Sequence, residues 1–467
     1  MEVNKKNSEL KHRLIIITDM ENEPDDSQTM VKLLMYSNEI DIEGLIAVTS
    51  THLRNEVYPE SIYDRVKAYG IVRDNLLKHA SGWPTEEYLL SIITSGPTGY
   101  GMEVVGDGKS TSGSDLIISA VDKDDSRPLY IAINAGANVL AQALWEVKQN
   151  RTKSEIEEFL SKIRIYDDSG QDDAGAWICH TFPDLFYVRS QSQVFSLYGP
   201  KLESGPQVCE PLDQWQWSEK HVRTRHGILG AVYPQRIVPR DSKNMGFHPI
   251  EGGGTTSWLG LINKGLYDPE EISWGGWGGR FSWEKEYVAA GQRGVAPIEE
   301  KYKPFKMYPQ AADTWTDKGS DEEKTYKDNE FAPVWRWRDA YTRDFQARMD
   351  WCVEDYENAN HHPVAAFYDD ISRTIVSLQA IPGEEIILDS SKSSDPDGDS
   401  LSFKWYIYPE AGTYSGDIII KNENKAVANV NIPEDAVDKQ IHIILEVTDD
   451  NPIVSLTSYR RIVIDVK

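Results

Sequence analysis

Short apolar runs alternate with amphipathic stretches along the first part of the chain. The apolar runs lie at 14–18, 42–49, 129–133 and 163–166. Stretches with helical spacing lie between them, at 27–37, 139–147 and 153–160. Apolar runs of this length are typical of strands buried on both faces, and the intervening helices cover those faces. The pattern therefore predicts an α/β fold with a mostly parallel sheet and flanking helices.

The C-terminal part has a different pattern. Short alternating segments separated by turns lie at 374–378, 385–388, 401–407, 418–421, 440–448 and 458–466. That spacing is typical of an immunoglobulin-like β-sandwich. Before it, residues 332–356 have helical spacing. We therefore expect a disordered or tag-proximal N-terminus at 1–12, the α/β domain at 13–310, a helical connecting segment packed on it at 311–366, and an all-β sandwich at 367–467.

Length and charge restrict the classes of function. A chain of 467 residues is longer than one hydrophobic core usually supports, which agrees with two domains. Its 49 basic and 75 acidic residues give a net charge of −26, which would repel a phosphate backbone and argues against a nucleic-acid partner. No run approaches the roughly 18 apolar residues of a membrane span. The polar start shows no secretory signal.

Two residue types add to this picture. The three cysteines lack CxxC spacing, so they indicate neither a zinc site nor a disulfide framework. The chain has 14 tryptophans, some of them in close pairs such as Trp274 and Trp277. Flat indole rings suit sugar rings, but they also serve as core residues, and the sequence leaves both alternatives open.

A run of carboxylates gives the strongest chemical signal. Five acidic residues follow the first predicted strand and precede the first predicted helix: Asp19, Glu21, Glu23, Asp25 and Asp26. Ligand sites of α/β sheets lie at such strand ends, and crowded carboxylates repel unless a cation joins them. Calcium prefers oxygen ligands of this kind. The alternative is that Asp25 or Asp26 caps the helix, but capping requires one carboxylate and not five.

Four further stretches could contribute to the same site. IAINAGANVLAQAL has a strand, a small-residue turn and a helix, and IYDDSGQDDAGAW places amides and carboxylates after another strand. Such pairs recognise vicinal hydroxyl groups. HPIEGGGTTSWLGLI contains Glu251, and SWGGWGGRF combines glycines with two indoles and Arg280.

The acidic turn resembles the DxDxxxDD turn of the nucleoside hydrolases, and the QDDAGAW stretch is closer to the bacterial cellulose-binding protein family, whose N-terminal domain is nucleoside-hydrolase-like. The resemblance implies a calcium ion held by Asp19, Glu21, Asp26, the Ala137 carbonyl and Glu251. It implies Glu21 and Asp25 as catalytic residues, although the nucleoside enzymes carry Asp where this chain has Glu21. The implied substrate-binding residues are Asn22, Thr51, His52, Asn138, Gln171, Asp172, Asp173, Glu251, Trp274, Trp277 and Arg280.

The resemblance implies a metal-dependent glycoside hydrolase or N-ribohydrolase-like enzyme, in which activated water attacks the anomeric carbon of a plant or microbial carbohydrate. The alternative is a non-catalytic carbohydrate-binding or cellulose-binding protein on the same scaffold. We expect a carbohydrate ligand in either case. The family further implies a periplasmic or secreted location, and the sequence does not predict the oligomeric state.

Overall fold

A seven-stranded parallel sheet forms the centre of the N-terminal domain. The computed structural model describes residues 11–197, 214–241, 244–248, 252–290, 296–318 and 323–467. Before the sandwich, the strands are β1 (His12–Thr18), β2 (Ile40–Ala47), β3 (Ile93–Ser95), β4 (Leu129–Ile133), β5 (Ile163–Asp168), β6 (Tyr187–Ser190), β7 (Arg236–Asp241), β8 (Asn244–His248), β9 (Tyr308–Pro309), β10 (Asp313–Asp317) and β11 (Lys324–Asn329). The sheet order is β3-β2-β1-β4-β5-β6-β9, and β7–β8 and β10–β11 are separate hairpins.

Helices cover both faces of this sheet. They are α1 (Pro24–Met35), α2 (Pro59–His79), α3 (Glu86–Ser91), α4 (Ser112–Val121), α5 (Asn138–Asn150), α6 (Lys153–Ser161), α7 (Ala174–Thr181), α8 (Gln214–Ser218), α9 (Gly227–Ala231), α10 (Thr256–Leu259), α11 (Ala296–Glu299), α12 (Ala332–Trp335) and α13 (Arg338–Asp350). Alternate residues of β1 belong to two cores, with Leu14 and Ile16 facing α1 and α2, and Ile15 and Ile17 facing α4 and α5. This two-sided burial explains why β1 is apolar without a period of two.

Local sequence fixes several helix starts. Proline occupies the first turn of α1 and of α2, where its missing N–H has no helical partner to lose. Helices α4 and α6 each begin with a complete capping box, formed by Thr111 with Ser114 and by Thr152 with Glu155. No helix within the described residues is long and apolar enough to cross a membrane.

The C-terminal domain consists of two β-sheets packed as a sandwich. Its strands are β12 (Val376–Ala380), β13 (Glu385–Asp389), β14 (Leu401–Ile407), β15 (Ile420–Lys421), β16 (Val427–Asn431), β17 (Gln440–Asp449) and β18 (Thr457–Val466). One sheet has the order β12-β18-β17-β14 and the other β13-β16-β15. Trp405 on β14 is 1% exposed in the core between them. The predicted α/β fold and the predicted sandwich are both confirmed.

The two domains share a hydrophobic core. Tyr408 and Tyr459 of the sandwich belong to the same core cluster as Trp337 of the first domain, and both tyrosine rings meet that indole edge-on, at 5.9 and 5.7 Å. Arg461 on β18 donates a hydrogen bond to the Gly275 carbonyl at 2.8 Å. Because both domains bury aromatic surface here, their stabilities are coupled.

The expected connecting segment contains the β10–β11 hairpin as well as α12 and α13. Arg348 of α13 donates to the Met35 carbonyl at the end of α1, which holds this segment against the first domain. Helix α2 and strands β3, β6 and β16 were not predicted. The predicted domain boundaries stay predictions.

We predict that Trp337→Ala destabilises both domains together. The indole is 1% exposed, and truncating a buried Trp costs about 3–5 kcal/mol. Denaturant unfolding, followed by far-UV circular dichroism and by hydrogen exchange of β17 and β18, should show one transition at lower denaturant. Trp283→Ala is the matched control, because Trp283 is 45% exposed and its loss should cost about 1 kcal/mol or less. Unchanged protection of the sandwich strands in Trp337→Ala would contradict the shared core.

Candidate functional site

The topology of the sheet places a crevice at the ends of β1 and β4. Strand β1 pairs with β2 on one side and with β4 on the other. The chain therefore adds β2 and then β3 on one side of β1, and returns to the other side of β1 to form β4. The loops after β1 and β4 therefore separate toward opposite faces at the C-terminal edge of the sheet. Ligands of α/β proteins bind at such a switch point.

A polar cleft occupies this position. It has an empty volume of about 370 Å³ and is lined by Asp19, Asn22, Glu23, Asp25, Asp26, Asn134, Asp168, Ser169, Gln171, Val194 and Gly254. Four predicted site residues from the acidic turn, and Gln171 from the QDD stretch, therefore come together as the sequence indicated.

Asp19 and Asp26 form a coupled pair of buried carboxyl groups. Asp19 follows β1 and is 2% exposed, and Asp26 lies in the first turn of α1 and is 7% exposed. Burial raises the pKa of Asp19 to about 7, against a hydrogen bond from Ser50 that lowers it. Burial and then the charges of Asp19 and Asp25 hold the pKa of Asp26 well above its ordinary value. The pair therefore retains a proton near neutral pH unless a cation replaces it.

Glu21 points away from this pair. Its backbone has a φ of 72°, in the left-handed region that side chains other than glycine rarely adopt. Its carboxylate is 46% exposed, accepts a hydrogen bond from Ser61 of α2, and lies 3.4 Å from the Arg65 guanidinium. The structure therefore places the Glu21 carboxylate on α2 and not among the side chains that line the cleft, and its role as a metal ligand and catalytic base stays a prediction.

The opposite wall of the cleft carries amide groups. Asn134 follows β4 and is 4% exposed, and Gln171 follows β5 and is 8% exposed. The Gln171 amide donates to the Asn134 carbonyl at 2.7 Å, and Ser257 donates to the Asn134 side-chain oxygen at 2.8 Å. Within the part of the chain that the structure describes, Asn134 Nδ2, Gln171 Oε1 and Asp19 Oδ2 are buried without a hydrogen-bond partner. Orphaned polar atoms of this kind, converging on one cleft, indicate a bound polar ligand.

Asp168 and the turn after it depend on a buried ion cluster. Arg189 on β6 is fully buried and pairs with Asp167 at 2.8 Å and with Glu299 at 2.8 Å. Gly170 has a φ of 61°, and a Cβ there would come within 2.5 Å of the Arg189 guanidinium. Only glycine permits this approach, which aims Asp168 and Gln171 toward the cleft.

Three predicted substrate-binding residues instead hold loops together. Asp172 is 1% exposed and accepts hydrogen bonds from the backbone N–H groups of Asn138 at 3.1 Å and Ala174 at 2.9 Å. Asp173 accepts from the Met102 N–H at 2.9 Å and pairs with Lys301. The Asn138 amide is used in the same way, bonding Thr49 and the Gly99 carbonyl. These side chains do not line the cleft, and these contacts hold them on neighbouring loops.

Three other predicted site residues do not line the cleft, and a fourth lies outside the described residues. The Ala137 carbonyl accepts the first hydrogen bond of α5 from Ala141, so it points along the helix and does not line the cleft. Thr51 is half-buried and His52 is exposed, and neither lines the cleft. Glu251 lies outside the described residues.

The glycine–tryptophan loop binds the sandwich and not the cleft. Trp277 is 3% exposed and packs edge-on against Tyr459. Trp274 meets His442 of β17 at 5.0 Å, and Arg280 pairs with Asp313 at 2.7 Å. These three residues do not line the cleft, and their role in binding a sugar stays a prediction. Their aromatic and cationic groups are occupied by the interface between the domains.

Sequence reasoning did not name two lining residues, Asn134 and Asp168. Asn134 directly follows a predicted strand, as Asp19 does, and Asp168 is the last residue of β5. A search for every polar side chain that follows an apolar run would have found them, because the carboxyl ends of parallel strands lie at one edge of the sheet.

The pair in the cleft differs from a second acidic group in the sandwich. Among the described residues, three acidic side chains with oxygens within 4.8 Å of one another occur at Asp395, Asp397 and Asp399. There the Asp395 side chain accepts the N–H groups of Asp397 and Asp399, as in an Asx turn. Asp397 also accepts from His361, and Asp399 accepts from Asn451. This run is a hydrogen-bonded turn, and we assign no ion to it.

The fold and the cleft define a class: a nucleoside-hydrolase-like α/β domain joined to an immunoglobulin-like sandwich. The family described as "Cellulose-binding Sde182, nucleoside hydrolase-like domain" matches residues 13–281, and the chain belongs to this family. The domain described as "Cellulose-binding protein Sde0182, C-terminal domain" matches residues 385–466.

One solved structure agrees with both assignments. It is a nucleoside hydrolase-related hypothetical protein from Saccharophagus degradans that is associated with carbohydrate metabolism, with 39% identity and a TM-score of 0.83 over 98% of this chain and 100% of that chain. An endo-β-1,4-mannanase from Thermotoga petrophila, at 8% identity over 99% of each chain, has a TM-score of 0.17, too low to indicate a shared fold. No curated protein gave a significant match.

We predict a pH-dependent instability caused by the carboxyl pair. A raised folded-state pKa means that the protonated pair contributes stability at low pH, which is lost as pH rises through about 7 for Asp19. Asp26→Asn keeps the neutral form at all pH values. In the presence of a chelator, the free energy of unfolding of Asp26→Asn minus that of the wild type should therefore increase by about 1 kcal/mol or more between about pH 5 and 8.

The measurement is denaturant unfolding at several pH values. Asp172, whose pKa burial raises to about 7, titrates in both proteins, so its contribution cancels in the difference. Asp74→Asn, at an exposed position on α2, is the control and should follow the wild type. A difference between wild type and Asp26→Asn that stays constant with pH would rule out the shared proton.

Proposed function

We propose that the cleft is the active site of a metal-dependent glycoside hydrolase. The observation that carries the proposal is the coupled pair Asp19 and Asp26, buried at the switch point of the sheet and facing orphaned polar atoms of Asn134 and Gln171. Two carboxyl groups buried side by side are costly without a compensating charge. Structural capping does not account for the pair, because Asp26 accepts from Thr18 and no side-chain hydrogen bond caps α1.

The donor set of the cleft fits calcium. Asp19 Oδ2 has no protein partner, and the carboxylate of Asp26 adjoins it, so both can serve as oxygen ligands. The Gln171 amide oxygen is a third candidate, and it is also without a protein partner. Glu21 and the Ala137 carbonyl are not in this set. When bound, the ion would supply a water molecule of lowered pKa.

The remaining lining residues have roles that follow from their chemistry. Asp25 is half-buried at the mouth of the cleft, where a carboxylate can accept the proton of an attacking water. Asn134 and Gln171 can donate to and accept from sugar hydroxyl groups. Asp168, on the opposite wall, offers negative charge to an oxocarbenium-like transition state.

A carbohydrate is the favoured substrate class. The matching family is described as cellulose-binding, and the similar solved structure is described as associated with carbohydrate metabolism. The net charge of −26 also disfavours polyanionic ligands. A periplasmic or extracellular location is consistent with such a ligand.

A specific observation favours a second candidate function, carbohydrate binding without hydrolysis. Glu21, the residue at the position of the second acidic residue of the nucleoside hydrolase turn, is held by Ser61 and Arg65 of α2. A cleft that lacks this carboxylate retains amides and a cation site but has one catalytic group fewer. Binding and hydrolysis are therefore the two outcomes that experiment has to separate.

The first test is calcium binding by the chelator-treated protein. We expect calorimetry to show a single site, with affinity at least about 10-fold weaker in Asp26→Asn, because the substitution removes a charged ligand and keeps the shape. Asp74→Asn should bind as the wild type does. If the wild type binds no calcium, or if Asp26→Asn binds equally well, the metal assignment is wrong.

The second test is hydrolysis of nitrophenyl glycosides and cello-oligosaccharides in the presence of calcium. We expect turnover by the wild type and a loss of about 100-fold or more in kcat for Asp25→Asn, the usual effect of removing a general base. Saturable oligosaccharide binding without product release would instead establish the binding function. That result would leave the calcium site intact and reject the hydrolase.

A further inference from the structure

A pair of histidines joins the two domains at a distance from the cleft. His79 is the last residue of α2, His361 lies in the link before the sandwich, and Asp397 lies in the turn between β13 and β14. His79 Nδ1 is 3.0 Å from His361 Nε2, and His361 Nδ1 is 3.0 Å from an Asp397 carboxylate oxygen. At the other end, His79 Nε2 is 2.9 Å from the Glu354 carbonyl. These contacts form one chain from domain to domain.

The number of hydrogens that these contacts require determines how many protons His79 and His361 carry together. The Glu354 carbonyl only accepts, and the Asp397 carboxylate already accepts the His361 backbone N–H at 2.7 Å. Each of the three ring contacts requires one hydrogen. Two neutral imidazoles carry only two N–H groups, so a complete chain requires one additional proton shared by His79 and His361.

The surroundings keep this pair in place and largely dry. His79 is 9% exposed and His361 is 6% exposed. The Trp351 ring stacks on His79 at 5.4 Å with an interplanar angle of 2°, and the Tyr356 ring stacks on His361 at 3.8 Å. A buried chain of this kind depends on a complete set of hydrogen bonds, because an unpaired polar group away from water is costly.

We propose that His79, His361 and Asp397 form a single-proton latch that holds the sandwich on the first domain within one pH window. Loss of the shared proton at higher pH leaves one contact without a hydrogen. Uptake of a second proton at lower pH places two N–H groups against each other across the 3.0 Å contact. In both directions the latch opens. This inference does not depend on the proposed hydrolase or on calcium.

The charges around the latch agree with a single proton. On the α2 side, Lys78 pairs with Asp355 at 2.6 Å, so their charges largely offset. Burial, and then the charge of His361, lower the pKa of His79, and this opposes uptake of a second proton by the pair. The hydrogen bond to the Glu354 carbonyl acts in the opposite direction and raises the pKa of His79.

Two further groups of charges face the latch. On the sandwich side, Asp395 and Asp399 lie in the same turn as Asp397. Beside Trp351, the titratable or charged side chains are those of His362, Asp344, Lys264 and Arg348. Burial, and then the charge of Lys264, lower the pKa of His362 to about 4, so this ring is neutral above about pH 4.

The latch lies in a link that is also anchored by neighbouring hydrogen bonds. Asn360, next to His361, donates to Asp449 and to the Val454 carbonyl of the sandwich, at 2.9 and 2.8 Å. Opening of the latch should therefore loosen this corner of the interface first. The shared aromatic core around Trp337 should keep the domains together.

The test is carbon-13 histidine NMR of the full-length protein from about pH 4 to 9, with signals assigned by His79→Gln and His361→Gln. Interacting sites titrate in shared macroscopic steps. We expect the two signals to move together, and Asp397→Asn to shift the upper step down by about one pH unit or more. His180→Gln, at an exposed histidine, is the control and should leave both steps unchanged.

Independent single-step titration of the two histidines, unaffected by Asp397→Asn, would overturn the latch. Because a variant can fail to fold, hydrogen exchange of the wild type gives a second measurement. The His361 amide donates to Asp397, so its protection, corrected for intrinsic exchange, should pass through a maximum with pH. Protection that is flat across the same range would equally reject the proposal.

Discussion

Burial of β1 on both faces is the constraint on which the rest of the structure depends. The strand is apolar from Leu14 to Ile17, so neither face can carry polar function, and chemistry is confined to its C-terminal end. At that end the strand order changes side, because β2 and β4 lie on opposite sides of β1, and the loops after β1 and β4 separate. Asp19 and Asp26 are buried at this point, where no basic side chain among those lining the cleft offsets them. A proton retained by this pair, or a cation in its place, offsets the negative charge that the fold buries at this point.

The aromatic residues have a different role from the one that composition suggests. Trp277 and Trp337 pack against Tyr408 and Tyr459, so the indoles fasten the sandwich to the first domain. Composition counts side chains but does not show which surface covers them. A few sandwich residues thus join the core of the first domain, and the His79–His361 latch adds a polar contact at the edge of the same interface.

Most of the predicted site residues that the structure brings together at the cleft come from one short segment. The acidic turn and Gln171 reach the cleft because each directly follows a strand. Other predicted site residues, Glu21, Asp172 and Asp173, contact protein groups that are distant in sequence. These groups are Ser61, the N–H groups of two loops, and Lys301. A carboxylate binds ligand or protein according to which donors lie nearby, and sequence spacing does not contain that information.

The sequence by itself determined the α/β domain, the sandwich and the acidic strand end, because apolar periodicity and turn chemistry act over short ranges. Helix α2 has a mixed pattern and was missed, since its apolar face is matched to a surface formed by other elements. Only the tertiary structure decided which carboxylates share a proton, which side of the turn Glu21 takes, and that His79 and His361 meet. These outcomes depend on burial and on donors brought together across long separations in sequence.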